Sequence, residues 1–81
     1  MIKTIYAAKP HKDGYKITRY KWSEELRRYT DVNVLVLLAD REQADNYIKG
    51  VEYNAKIDGF KTETKRTQKW TFLTIYGDYE L

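Results

Sequence analysis

The side chains that could perform catalysis are few in this 81-residue chain, and they are far apart in the sequence. His11 is the only histidine, and Ser23 is the only serine. A general base at His11 would need an orienting carboxylate and a substrate pocket, whereas Asp13 is near it only in sequence. Ser23 lacks a second histidine or a suitably placed lysine to activate it. We therefore predict that the protein is not an enzyme, and we keep a small toxin-like ribonuclease, using His11 and an arginine, as a third hypothesis.

Metal and cofactor binding have little support in the sequence. The chain has no cysteine, which excludes a thiolate zinc site and a disulfide. Its acids between positions 31 and 58 lack the alternating oxygen spacing of a calcium loop. The four glycines, at positions 14, 50, 59 and 77, are isolated, so no phosphate-binding loop is predicted. We expect neither a metal nor a cofactor.

Basic residues are interleaved with aromatic residues in three segments, and this pattern has the clearest functional meaning. Such segments offer cations for phosphate groups and ring faces on which unpaired bases stack. The same residue types anchor protein interfaces, and in a sheet they also pack across neighbouring strands. The candidate binding residues are Arg19, Tyr20, Lys21, Trp22, Arg27, Arg28, Tyr29, Lys65, Arg66, Lys69 and Trp70.

Protein binding is the first functional hypothesis because the chain has more rings than its core can bury. Eight Tyr, two Trp and two Phe are too many for a small core to hold with every hydroxyl satisfied. We predict a non-enzymatic protein-interaction module of the inhibitor or accessory type, similar in size and composition to small bacterial and phage proteins. The alternative is a module that binds single-stranded RNA or DNA through the same residues. That alternative is disfavoured because the RNP1 motif of an RRM is missing and a net charge of +3 is low for the role.

The charge distribution and the hydropathy pattern add expectations about partners and location. Residues 1–30 carry eight Lys/Arg and three Asp/Glu, a net charge of +5, whereas residues 31–60 carry three and six, a net charge of −3. The sequence has neither the apolar segment of a signal peptide after Met1 nor a run of the roughly 18 apolar residues that a membrane span requires. We expect a cytoplasmic protein that does not bind membranes. A homodimer is also considered, because a small sheet should leave an edge or a face uncovered.

The clearest structural signal runs from residue 32 to residue 59. Residues 32–39 are almost entirely β-branched or aliphatic, which predicts a central strand buried on both faces. Asp40 is placed as an N-cap with Gln43 three residues later, and Gly59 suits a left-handed helix end. Between them, a helix over residues 41–58 is predicted by one apolar stripe on a 3.6-residue period. Its members are Ala44, Tyr47, Ile48, Val51 and Ala55.

The remaining segments alternate as strands do. Residues 2–8 and 15–22 predict a hairpin, with the second strand near a sheet edge because neither of its faces is purely apolar. Residues 23–31 are either a short helix or, as we favour, a turn followed by a strand. Residues 60–76 are either a hairpin or one bent strand, and residues 77–81 are a polar tail. We predict one α+β domain over residues 1–81, with four or five mainly antiparallel strands and the helix packed on one face.

Overall fold

The computed structural model describes residues 1–80 and has the predicted α+β architecture, with five strands and one helix. The strands are β1 (Ile2–His11), β2 (Gly14–Ser23), β3 (Arg28–Leu38), β4 (Thr62–Arg66) and β5 (Thr71–Ile75), and helix α1 (Arg41–Ile57) lies between β3 and β4. They form one sheet in the order β3-β2-β1-β5-β4, in which every pair of neighbours is antiparallel.

Both ends of α1 are fixed by the residues that the sequence indicated. The Asp40 carboxylate accepts a hydrogen bond from the Gln43 backbone N–H at 2.9 Å, and the Gln43 side chain accepts one from the Ala39 N–H at 3.1 Å. This is the reciprocal arrangement of a capping box, except that the Gln43 side chain accepts from the N–H of Ala39 and not from that of the N-cap residue, Asp40. At the other end, Gly59 has φ +90°, and the Phe60 N–H donates to the Ala55 carbonyl at 3.0 Å, as in a Schellman motif. The predicted helix is therefore confirmed.

The core lies between α1 and one face of the sheet. The helix packs mainly over β1, β5 and β2, and its buried stripe consists of Ala44, Ile48, Val51 and Ala55, with Tyr47 partly buried beside it. The sheet contributes the alternate positions that point towards the helix. These are Tyr6, Ala8, Ile17, Leu73 and Ile75, all of which are buried.

The prediction that residues 32–39 form a central strand buried on both faces is wrong, because β3 is an edge strand. Val32, Val34 and Leu37 expose 60%, 57% and 61% of their surface, and β1 occupies the centre of the sheet instead. Two register shifts interrupt the pairing of β3 with β2, one of them at Leu35. An extra residue of this kind bends a strand, and here Leu35, Val36 and Leu38 all contact the core.

The sequence left two alternatives open for residues 23–31 and for residues 60–76, and both segments belong to β-hairpins. Residues 24–27 form a turn between β2 and β3, and the returning strand starts at Arg28, which pairs with Ser23. Residues 60–76 form the β4–β5 hairpin, in which the Thr67 N–H donates to the Trp70 carbonyl at 2.8 Å. Pro10 lies within β1 beyond Ala8, where the pairing with β5 ends, so its missing N–H interrupts no ladder on that side.

The prediction of a polar tail over residues 77–81 is also wrong for residues 77–80, because Tyr79 belongs to the core and is 5% exposed; residue 81 lies outside the described residues. Its ring packs edge-on against Phe60 with centroids 5.1 Å apart. The Thr4 hydroxyl donates to the Gly77 carbonyl at 2.7 Å and accepts from the Tyr79 N–H at 3.0 Å. Gly77 has φ +153°, and a Cβ there would overlap the Phe60 ring, so this turn requires glycine.

Replacing Gly50 by alanine is expected to raise the free energy of unfolding by about 0.5–1 kcal/mol, because glycine is an unfavourable helix residue. A Cβ at Gly50 would meet nothing within 4 Å, so the gain carries no steric cost. Urea denaturation should detect the change. Gly14→Ala is the contrasting variant and should destabilise the protein, because its Cβ would overlap the Leu38 carbonyl oxygen. Equal effects of the two substitutions would contradict this explanation.

Candidate functional site

The face of the sheet opposite α1 is not covered by any element of residues 1–80, and we call it the open face. Ile5 pairs with Tyr20 on one side and with Thr74 on the other, so these three residues point away from the helix that covers the neighbouring Tyr6. The residues of the open face include Lys3, Ile5, Lys9, Tyr20, Trp22, Tyr29, Val32, Phe72, Thr74 and Tyr76.

Aromatic rings on the open face form a cluster across β2 and β3. The Tyr29 ring lies edge-on to Tyr20, with centroids 5.4 Å apart, and to Trp22, with centroids 4.9 Å apart. Trp70 and Phe72 make a second contact at 5.4 Å, on the β5 side. Among residues 1–80, which contain all eight tyrosines, only Tyr6 and Tyr79 are buried. Of the twelve aromatic rings, three are exposed, namely Tyr29, Tyr53 and Trp70, and seven are partly buried.

Two shallow hollows separate these rings. The larger one has a volume of about 370 Å³ and is lined by Ile5, Lys9, Tyr20, Tyr29, Val32 and Phe72. The smaller one has a volume of about 270 Å³ and is lined by Lys3, Ile5, Trp22, Tyr29, Thr74 and Tyr76. Ile5 and Tyr29 line both hollows, so Tyr29 is a ridge between them. The lining of the larger hollow is apolar apart from the lysine at its rim and the tyrosine hydroxyls.

Lysines lie over the faces of several of these rings. The Lys9 Nζ is 5.0 Å from the ring centroids of both Tyr20 and Trp70. The Lys3 Nζ is 5.6 Å from the Tyr76 centroid, and the Lys61 Nζ is 5.9 Å from the same ring. At these distances the ammonium groups are attracted to the negative ring faces. The ammonium groups therefore lie over ring faces that a ligand could otherwise contact.

The strand positions on the open face carry an excess of positive charge. The paired positions place four lysines there, together with one acid, Glu63. A further acid, Glu24 from the β2–β3 turn, approaches Lys3 at 3.5 Å. The four lysines are Lys3, Lys9, Lys16 and Lys65.

The candidate residues predicted from the sequence are divided between the two faces of the sheet. Tyr20, Trp22, Tyr29 and Lys65 lie on the open face, and Trp70 adjoins it through Phe72. The other predicted residues lie elsewhere. Arg27 and Arg28 are exposed at the β2–β3 turn, Lys69 is exposed in the β4–β5 loop, and Arg19, Lys21 and Arg66 are on the helix side.

The cations on the helix side have structural partners. Lys21 is 6% exposed, and its Nζ forms ion pairs with Asp78 and with Glu80, the latter at 3.6 Å. Arg19 approaches the same Glu80 at 3.8 Å. These two residues attach the C-terminal segment to the sheet, so the sequence-based assignment of a binding role to them has no geometric support.

Arg66 is held by a polar cluster on α1. Its guanidinium donates to the Asp45 carboxylate at 3.1 Å, and the Thr71 hydroxyl donates to the other carboxylate oxygen at 2.7 Å. Partial burial raises the pKa of Asp45, but the hydrogen bonds from Thr71 and Arg66 and the charges of Arg66 and Arg41 outweigh it, so the pKa lies below its ordinary value. Asp45 is therefore a charged anchor between the helix and the β4–β5 hairpin.

Several residues of the open face were missed by the sequence reasoning because they are not adjacent to a basic–aromatic segment. Phe72 and Tyr76 could have been found, since alternation along residues 70–76 places them on the side of Trp70. Lys9 and Ile5 give no signal in the sequence. Ile5 lies opposite Tyr20 in the β1–β2 hairpin, and Lys9 and Ile5 meet the rings of Trp70 and Phe72 because β1 is inserted between β2 and β5 in the sheet.

The described chain has neither a metal-binding cluster nor a spanning helix. Within residues 1–80, no group of three His, Asp or Glu side chains is placed to hold a metal ion. No helix in the same range combines the length and apolarity needed to cross a membrane. His11 ends β1 opposite Gly14, at the tip of the first hairpin.

Comparison of this chain with protein families, with curated proteins and with solved structures found no match. No relative therefore assigns a role to the open face.

Proposed function

We propose that the protein is a non-enzymatic module that binds another protein through its open face, as inhibitor or accessory proteins do. The observation that supports this most directly is the larger hollow, an apolar depression between the rings of Tyr20, Tyr29 and Phe72 on an uncovered sheet face. Depressions of this kind accept the aromatic or aliphatic anchor residues that dominate the energetics of protein interfaces. The exposed Val32, Val34 and Leu37 on β3 extend the same apolar surface to the sheet edge.

Nucleic-acid binding through this face is the second candidate, and it has weaker support. Lys65, Lys69 and Trp70 lie near one end of the face and could contact a phosphate backbone and a base. However, Arg19, Lys21 and Arg66 are engaged with carboxylates on the helix side. Lysine ammonium groups also lie over the rings of Tyr20 and Tyr76, which leaves less ring surface for base stacking.

The test is affinity capture from a lysate of the source cells, with a variant that blocks the hollow. Val32→Asp places a carboxylate at its rim, and since Val32 is 60% exposed, the substitution should leave the fold intact. Tyr53→Asp is the matched control, because Tyr53 is 67% exposed on the helix. We expect one protein to be retained by the wild type and by the control but not by Val32→Asp.

Two results would argue against the proposal. Recovery of the same proteins with Val32→Asp would place binding on another surface. Retention of nuclease-sensitive material in place of a protein, with an affinity that falls steeply as salt is raised, would favour the second candidate.

A further inference from the structure

We infer that the partner presents an acidic segment with a large apolar side chain, which enters the larger hollow while one flanking carboxylate pairs with Lys9 at the rim and further acids face the other lysines of the open face. This inference rests on the proposed function and specifies the chemistry of the partner.

The charge of the open face selects against a second copy of the chain. Four lysines and one acid occupy its paired strand positions. Two such faces packed together would oppose lysines to lysines in a partly desolvated interface, and like charges there are costly. A partner rich in Asp and Glu would instead neutralise the excess, so complementarity favours a different, acidic protein surface.

The volume of the hollow fits an anchor side chain better than a small-molecule ligand. At about 370 Å³, it is at the lower end of the roughly 300–1,000 Å³ that ligand sites occupy. It is also shallow, and its walls are Ile5, Tyr20, Tyr29 and Phe72, which offer few polar groups to orient a ligand. A Phe, Trp, Leu or Ile side chain needs only such an apolar surface.

Lys9 connects the apolar contact to the acidic one. It lines the larger hollow, and its Nζ lies 5.0 Å from the centroids of Tyr20 and Trp70. A carboxylate one or two residues from the anchor would meet this ammonium group at the rim. Because apolar contact and ion pair involve adjacent residues of the partner, a short linear segment is enough to satisfy both.

A peptide is favoured over a nucleic acid by the state of the ring faces. Base stacking needs at least one free face on an exposed ring. The Lys9 ammonium lies over Tyr20 and Trp70, and those of Lys3 and Lys61 lie over Tyr76, so a base stacking on these faces would have to displace a lysine. An inserted apolar side chain contacts ring edges and the floor of the hollow without displacing these lysines.

The test uses a displayed library of random 12-residue peptides, selected separately on the wild type, on Lys9→Glu and on the control Lys49→Glu. Lys49 is an exposed lysine of the helix, on the far side of the sheet. We expect the wild type and the control to enrich peptides in which a large apolar residue is flanked by Asp or Glu. Synthetic copies should bind Lys9→Glu at least tenfold more weakly, and Val32→Asp should not bind them measurably.

The outcomes separate this inference from the proposed function. Enriched peptides without acidic residues, or equal binding by Lys9→Glu, would overturn the inference while leaving a protein-binding face in place. Loss of binding by the helix control as well as by Lys9→Glu would overturn it in favour of a non-specific charge effect. If no peptide is enriched and a fluorescent oligothymidine binds instead, both proposals fail. Thermal unfolding of Lys9→Glu, and of Lys9→Gln as a milder substitution, verifies that each variant is folded.

Discussion

Replacement of Tyr79 by alanine should lower the free energy of unfolding by about 3–5 kcal/mol, the usual cost of deleting a buried aromatic ring. The ring is 5% exposed, packs edge-on against Phe60 and completes the core beneath α1. A domain of this size has only about 4–12 kcal/mol of stability, at roughly 0.05–0.15 kcal/mol per residue. The variant should therefore lose between about a quarter and all of its stability.

The measurement is urea denaturation followed by circular dichroism, with Tyr53→Ala as the control. Tyr53 is 67% exposed on α1, so the same truncation there should change the stability by less than about 0.5 kcal/mol. If Tyr79→Ala were as stable as the control, the last residues would not be docked as described, and the polar tail predicted from the sequence would be correct.

The hydroxyl of Tyr79 makes the stability of the protein depend on pH. Burial, and then the nearby Asp58 carboxylate, raise the pKa of Tyr79 above its ordinary value. The folded protein keeps this phenol protonated when the unfolded chain has begun to ionise, so stability is complete below about pH 10 and is lost as the pH rises above it. Tyr79→Phe should reduce that loss. Part of the loss of stability at high pH should remain in this variant, because burial also raises the pKa of Tyr47.

The helix could be predicted because all its determinants are local. Asp40, Gln43 and Gly59 act on backbone groups within five residues of themselves, and the apolar stripe is read from a single segment. The order of the strands in the sheet, in contrast, could not be predicted from local sequence. It depends on contacts between segments that are distant in sequence, such as the pairing of β1 with β5, and no local pattern specifies it.

The error over β3 is informative about function. A run of β-branched and aliphatic residues indicates that both faces of a strand avoid water, but it does not indicate which chain supplies the cover. In this structure, one side of β3 contacts the core through Leu35, Val36 and Leu38, while Val32 and Val34 remain exposed on the other. The sequence signal of a doubly buried strand is consistent with a partner that covers the second side.

The assignment of the candidate cations failed for a related reason. Alternation along β2 separates Lys21 from Trp22 correctly, but it cannot say which of them faces the helix. A lysine is expected in solvent unless it is paired. The pairing groups of Lys21 are Asp78 and Glu80, which are 57 and 59 positions further along the chain. Only the docking of Tyr79 brings them to β2, and this event has no signature near Lys21.

Replacement of Tyr29 by alanine should weaken partner binding by about 2 kcal/mol or more, which corresponds to roughly a thirtyfold or greater rise in Kd. Tyr29 lines both hollows, so its truncation removes the ridge between them and widens each one. Tyr29 is 57% exposed in the free protein, and a partner that covers the open face would bury most of this exposed surface. Aromatic residues that change from half-exposed to buried on association are the usual hot spots of an interface.

The cost to the fold should be small by comparison, about 1 kcal/mol, since the substitution forfeits only the edge-on contacts with Tyr20 and Trp22. Calorimetric titration with the captured protein, or with a selected peptide, gives the affinity, and thermal unfolding gives the stability. A large loss of binding with a small loss of stability is the combination that an interface residue produces. A residue that merely supports the sheet would instead lower the stability and leave the affinity of the folded fraction unchanged, which would place the binding surface elsewhere.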